Sequence, residues 1–224
     1  LLATTVLAKL IYTISLVTML RLGDLSAYYP IARSSPAFIV IVSSLFLGVL
    51  YTPLVLIGIM MVLVGAFWLQ YTHGAPLLNN PKVLIFSFLA MAGTGVNSIA
   101  DALAVQVVAP TVVFFWTFVF TLPGFILFFV FFRRKNMSIY KLFPIFRNPI
   151  PYVKIGVICY ISYLLILIAY QNGGEVAVVN SVRQASIPIS VLLGGMWLKE
   201  IDIKQRILAS LLLSLGIVVI VNSL

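Results

Sequence analysis

The chain has 224 residues, a net charge of +9, 62% hydrophobic and only 8% charged side chains, and a mean hydropathy of +1.18. Five acidic and 14 basic residues are too few to clothe a soluble globule of this size. The apolar residues come in blocks of about 20, the length that crosses roughly 30 Å of hydrocarbon, so the composition excludes a soluble domain and reads as an integral membrane protein.

Apolar runs bounded by charge, Gly, Pro or Asn predict eight spans, roughly 1–20, 26–48, 53–70, 83–107, 110–132, 152–171, 176–197 and 206–223. No run alternates at period two, which argues against a membrane barrel. The first span carries Lys9 and Tyr12, and the second opens in GDLSAYYPIARSSP, where Arg33 falls between Pro30 and Pro36. These prolines are expected to distort the early turns and free backbone groups to line a cavity rather than lipid. The third span is followed by YTHGAPLLNNPK, which holds the single histidine, His73. One histidine leaves no set of nitrogen ligands and no triad, so no cofactor or metal is expected.

In the fourth span, Thr94, Asn97 and Asp101 stand at i, i+3 and i+7 and therefore share one helix face. Ionisable residues within a span cost about 2.5–3.5 kcal/mol on insertion scales and turn toward the bundle interior or a water-filled cavity. Two readings of Asp101 stand side by side. It titrates as a substrate leaves, which would couple transport to protons, or it pairs permanently with Arg183 or Lys9 and holds helices together.

The fifth span is an aromatic run in which Trp116 is expected to face lipid, and the RRKNMSIYKLFPIFRNP loop follows it. Cys159, Tyr160 and Tyr163 lie in the sixth span, with Cys159 read as a small core residue and Tyr170, near the span end, as an interfacial anchor. The seventh span holds Asn180, Arg183, Gln184 and Ser186 within a few residues. Gly93 with Gly95, Gly194 with Gly195, and Ser210 with Ser214 are small residues that let helices approach closely.

Shifting the sequence by 151 residues lays 1–69 over 152–220 and matches Tyr12 with Tyr163, Gly23 with Gly174, Asp24 with Glu175, Ser35 with Ser186 and Gly65 with Gly216. Spans one to three pair with the last three, so two helices are expected ahead of Leu1, completing a pair of five-helix repeats. An odd number of crossings makes the second repeat insert upside down, as inverted repeats of secondary transporters do. Charge placement agrees. Arg21, Lys82, Arg133, Arg134, Lys135, Lys141, Arg147, Lys154, Lys199, Lys204 and Arg206 fall in or beside odd-to-even connections, and the other connections hold no basic residue. The positive-inside rule then puts the basic loop 133–154 in the cytoplasm, facing anionic lipid headgroups. Nucleic acid is not an expected partner, because the basic residues are not interleaved with stacking aromatics on a soluble face.

GDLSAYYPIARSSP leading into FIVIVSSLFLGVLYTPLVLIGIMMVLVGAF, and VRQASIPISVLLGGMWLKE leading into ILASLLLSLGIVVIV, resemble the EamA family of the drug/metabolite transporter superfamily. The family's glutamate in the turn before the last helix of a repeat is Glu200 in the second half, whereas Val49 stands there in the first. The resemblance implies an all-α polytopic membrane protein: eight visible transmembrane helices of a ten-helix, five-plus-five inverted-repeat bundle that lacks its first two. Residues 1–71 would be the last three helices of one repeat, 72–82 a linker and 83–224 the second repeat. It further implies a secondary transporter, an exporter rather than an enzyme, moving a small polar or amphipathic metabolite across the cytoplasmic membrane by alternating access, as a monomer or homodimer.

The expected substrate cavity comprises Asp101, Asn97, Thr94, Arg183, Gln184, Asn180, Ser186, Tyr12, Tyr163, Tyr160 and Arg33. For Arg33, about two turns into its helix, snorkelling to the headgroups is the favoured alternative. Paired arginines at near-equivalent repeat positions, with Arg183 in register with Ala32, would suit an anionic or zwitterionic substrate. Rival readings are a scaffold subunit whose charged spans pair with partner helices, and an enzyme acting on a lipid-linked substrate, which would need a nucleophile, base or metal grouping.

Overall fold

In a computed structural model the chain is all-α, and residues 1–22, 25–70, 80–133, 149–186, 189 and 203–222 are described. In chain order the helices are α1 (Leu2–Leu22), α2 (Leu25–Arg33), α3 (Ser35–Phe46), α4 (Pro53–Gln70), α5 (Pro81–Val105), α6 (Pro110–Arg133), α7 (Ile150–Gln171), α8 (Val176–Val182), a single 3₁₀ turn (Arg183–Ala185) and α9 (Ile203–Asn222). Among the described residues, four stretches are long and apolar enough to cross a membrane: Leu2–Leu22, Pro81–Val105, Pro110–Phe128 and Ile150–Gln171. Large apolar side chains on their outward faces, such as Leu7, Phe88, Phe115, Ile126 and Ile158, are left exposed. Burial of the bundle in lipid removes that cost, as expected of a multi-pass membrane protein.

Proline sets many of the starts. It is the first residue of α4, α5 and α6 and the second of α3 and α7, where its missing N–H would have had no helical partner anyway. Asn80 caps α5, its side chain accepting from the amides of Lys82 and Val83. The end of α7 is a Schellman turn. Gly173 adopts φ +85°, its amide donates to the carbonyl of Tyr170 at 3.1 Å, and the Gly174 amide donates to Ala169 at 2.8 Å. Chain direction reverses there, and Glu175 opens α8 by accepting from the Val178 amide at 2.9 Å.

The span expected at 26–48 is not continuous. It breaks at Ser34 into α2 and α3, because Pro36 cannot donate to the turn above it. Pro30, the other expected distortion, lies within α2 without ending it. In the span expected at 176–197, α8 tightens into the 3₁₀ turn at Arg183–Ala185, with right-handed helical backbone at Val182, Arg183 and Ser186. With the offset of 151 residues, Ser34 corresponds to Ala185, so the break and the tightened turn fall at matching positions. Most of the 72–82 linker, the 133–154 loop, and Gly194, Gly195, Glu200 and Asp24 lie outside the described residues.

Two antiparallel crossings organise the bundle, α1 against α5 and α4 against α9. Their seams are built on glycine. A Cβ on Gly93 would lie 2.8 Å from the Tyr12 amide nitrogen and 3.0 Å from the Ala8 carbonyl oxygen of α1. At the α4–α9 seam the contacts are reciprocal. A Cβ on Gly65 would meet the Ala209 oxygen and the Leu213 nitrogen, both at 2.9 Å; one on Gly216 would meet the Gly58 oxygen at 2.8 Å and the Val62 nitrogen at 2.9 Å. Adding 151 to Gly58, Val62 and Gly65 gives Ala209, Leu213 and Gly216, so each contact has its mirror. Such self-complementary pairing is what a twofold relation between two segments produces. Around the seams Val62, Leu213 and Ile220 join Ile39 and Ala177 in one apolar cluster, and Leu167, Tyr170, Val105 and Val113 tie α5, α6 and α7 together in another.

Candidate functional site

The interruptions at Ser34 and at Arg183–Ala185 bring the ends of α2 and α8 together beside α1, α5 and α7. Gln184, 3% exposed, donates through Nε2 to the Arg33 carbonyl oxygen at 3.3 Å. That oxygen is free to accept because the break removes its helical donor. Next to this contact lies a cavity of about 240 Å³. Its cationic wall is Lys9 of α1, Arg33 of α2 and Arg183; Tyr12, Tyr29, Phe118 and Tyr163 supply rings; and Thr94, Asn97, Ser98, Asn180 and Gln184 supply hydrogen-bonding groups.

The three cations are held by neutral groups. The Lys9 ammonium sits 4.0 Å from the Phe118 ring centre and 4.1 Å from that of Tyr163, a cation–π geometry worth about 0.5–2 kcal/mol. Arg33 donates from Nε to the Tyr29 hydroxyl at 2.8 Å, one helical turn away. Arg183 donates from Nη1 to Asn180 Oδ1 at 3.1 Å. Both arginines are exposed residues.

Asp101 stands behind this wall, 1% exposed. Its Oδ2 accepts from the Tyr163 hydroxyl and from Asn97 Nδ2 at 2.9 Å, while Oδ1 has no hydrogen-bond partner. The aspartate is thus absent from the lining and reaches it only through Tyr163 and Asn97. The reading that pairs it permanently with Lys9 or Arg183 does not describe this arrangement, since Lys9 is turned onto the rings and Arg183 onto Asn180.

Asn180 is the hub of the outer wall. Its Nδ2 donates to the Tyr170 hydroxyl at 2.8 Å and to the Val176 carbonyl at 2.9 Å, and its Oδ1 accepts from Ser98 as well as from Arg183. Tyr170, whose own carbonyl accepts from Gln106, is 1% exposed. It is therefore a core residue and not the interfacial anchor its place in the sequence indicated. Beyond it, the Tyr51 hydroxyl donates to Glu175 Oε1 at 2.6 Å, bridging the α3–α4 connection to the start of α8. Burial, and then the Glu175 hydrogen bond, hold the Tyr51 phenol above its usual value.

Of the expected cavity residues, the structure gathers Thr94, Asn97, Tyr12, Tyr163, Asn180, Arg183, Gln184 and Arg33 around one space. Arg33, expected in the cavity with snorkelling as the alternative, lies beside Tyr29 in the lining. Two others fall elsewhere. Tyr160 is 41% exposed and packs edge-on against Phe114 at 4.7 Å, because it lies almost one turn from Tyr163 on a helix with little buried surface. Ser186 is exposed, and its hydroxyl donates to the Arg183 carbonyl. Cys159, expected in the core, is exposed and borders the cavity.

Lys9, Tyr29, Ser35, Ser98 and Phe118 also line the cavity without having been placed there from sequence. Lys9 carried a signal, as a charge inside a span, and Tyr29 carried a weaker one by standing four residues before Arg33. Trp116 is half-exposed and stacks on Phe120, away from the lining. No group of metal-ligating side chains occurs among the described residues. No protein-family model matches the chain, and no curated protein matches it significantly.

Proposed function

We propose that the chain is a secondary carrier that moves a small polar or amphipathic metabolite across the cytoplasmic membrane by alternating access. The observation that carries this reading is the cavity itself, which lies between the helix break at Ser34 and the 3₁₀ turn at Arg183–Ala185, at matching repeat positions. Discontinuous helices expose backbone groups only where these line a cavity, and in inverted-repeat carriers the substrate site lies at the repeat interface. The reciprocal α4–α9 contacts and the antiparallel sense of that crossing support an inverted pair of EamA-like repeats, residues 1–71 and 83–224. The one-sided distribution of basic residues supports a cytoplasmic 133–154 loop that rests on anionic lipids.

Rocking one repeat against the other would open the cavity to alternate sides, with Tyr51–Glu175 and Asn180–Tyr170 as contacts that must part on the side free of basic residues. Asp101 is the proposed proton carrier. Its Oδ1, buried and without a donor, is the atom a proton would occupy, and Tyr163 connects the carboxyl to the ring on which Lys9 rests.

Proteoliposomes holding the full chain and an internal pH dye test the reading against a panel of small metabolites under an imposed pH gradient. At least one metabolite is expected to dissipate the gradient, and Asp101→Asn should abolish that flux while the protein stays folded. Flux at the unsubstituted rate in Asp101→Asn would remove the coupling role. A panel that binds but never moves would favour the scaffold reading.

A further inference from the structure

We infer that the cavity is built for a small organic anion carrying a carboxylate or phosphate head. The inference rests on the carrier reading and names its substrate class. Three cations, Lys9, Arg33 and Arg183, line one space of about 240 Å³, and among the described residues no carboxylate lines it with them. The buried carboxylate behind the wall, Asp101, turns Oδ2 to Tyr163 and Asn97 and does not itself line the space. A carboxylate partner would cancel the charge of the cation it met; here each cation rests instead on a π face, a phenol or an amide.

Such partners hold a cation in place without cancelling its charge. A ring quadrupole and a neutral oxygen are weak acceptors, and an incoming oxyanion forms shorter, stronger charge-assisted bonds with the same groups. The summed field of three cations around one space favours a negative occupant over a neutral one and disfavours a positive one. The two arginines approach from α2 and from the turn after α8, the two elements that the Gln184–Arg33 bond ties together. An anion held between them would therefore bridge the two halves of the chain, which makes occupancy sensitive to their relative position. A space of about 240 Å³ suits a small metabolite. Tyr12 and Leu16 leave an apolar flank for its carbon skeleton.

Calorimetric binding to the full chain in lipid nanodiscs tests this, with succinate and glycerol 3-phosphate as anionic probes and choline and glycerol as size-matched cationic and neutral ones. Succinate, glycerol 3-phosphate or both should bind at least about tenfold more tightly than choline or glycerol; which of the two does so assigns the head group. Arg183→Gln and, independently, Arg33→Gln should each weaken anion binding by about tenfold or more, and Arg183→Lys by less. Equal binding of glycerol or choline, or anion binding untouched in both glutamine variants, would overturn the inference. Anion binding without flux in proteoliposomes supports the site and sinks the carrier reading. Flux of glycerol or choline without any anion binding does the reverse.

Discussion

Gln184 and Arg33 are hydrogen-bonded across 151 positions of sequence, and 151 is also the offset that lays the first three spans over the last three. Residues related by a twofold axis touch one another only beside that axis. The cavity borders this contact, so both halves contribute equivalent positions to its wall, and the same offset governs the α4–α9 seam.

The seam makes a paired prediction. Gly65→Ala and Gly216→Ala each push a methyl group against backbone atoms of the facing helix at 2.8–2.9 Å, which no rotamer change relieves. Both should destabilise by about 1–3 kcal/mol, and by similar amounts because the contacts are mirror images. Thermal unfolding in detergent measures this, and a large difference between the two would show that the reciprocity does not extend to energetics.

Asn180 and Tyr170 should respond unequally. Asn180→Leu leaves the buried Tyr170 hydroxyl without its donor, a cost of about 1–3 kcal/mol, and releases Arg183. Tyr170→Phe leaves Asn180 still bonded to the Val176 carbonyl, so its cost should be smaller. Unfolding midpoints of the two variants give the order.

Tyr51→Phe removes the donor to Glu175 Oε1 and should cost about 1 kcal/mol at neutral pH, a modest figure because both residues are only half-buried. Because the folded protein holds the Tyr51 phenol above its unfolded value, the stabilisation is complete below pH of about 10 and is lost as pH rises beyond it. Unfolding midpoints of the native chain and of Tyr51→Phe should therefore stay separate up to that pH and draw progressively together as pH rises above it.

Cys159 is the only cysteine in the chain and borders the cavity, which makes it a built-in reporter. A small maleimide should label it in nanodiscs. A cavity ligand at ten times its Kd should slow labelling about tenfold, in proportion to the free fraction. Labelling that ignores a ligand whose binding Arg183→Gln abolishes would place the thiol on the lipid side.

Much of the site was legible before any fold was known. Thr94, Asn97 and Asp101 share a face by spacing alone, and the cluster from Asn180 to Gln184 stood out as polar residues in an apolar stretch. Tyr170 and Cys159 were misjudged for one reason: distance from a span end was used as a proxy for depth and facing. Tyr170 is three residues from a glycine turn that folds α8 back over it, whereas Cys159 lies on a helix with little buried surface.

By itself the sequence determined the membrane setting, the 151-residue offset and the asymmetry of charge, since each depends on residue type and order alone. Which face of each helix meets a neighbour was decided only by the tertiary structure. In a soluble helix the polar face marks the outside, but a helix that is apolar all round carries no such mark, because lipid and core accept the same side chains. The position of Lys9 on two rings, of Asp101 one layer behind the wall, and of three cations around one cavity therefore had to come from the packing of glycine seams and broken helices.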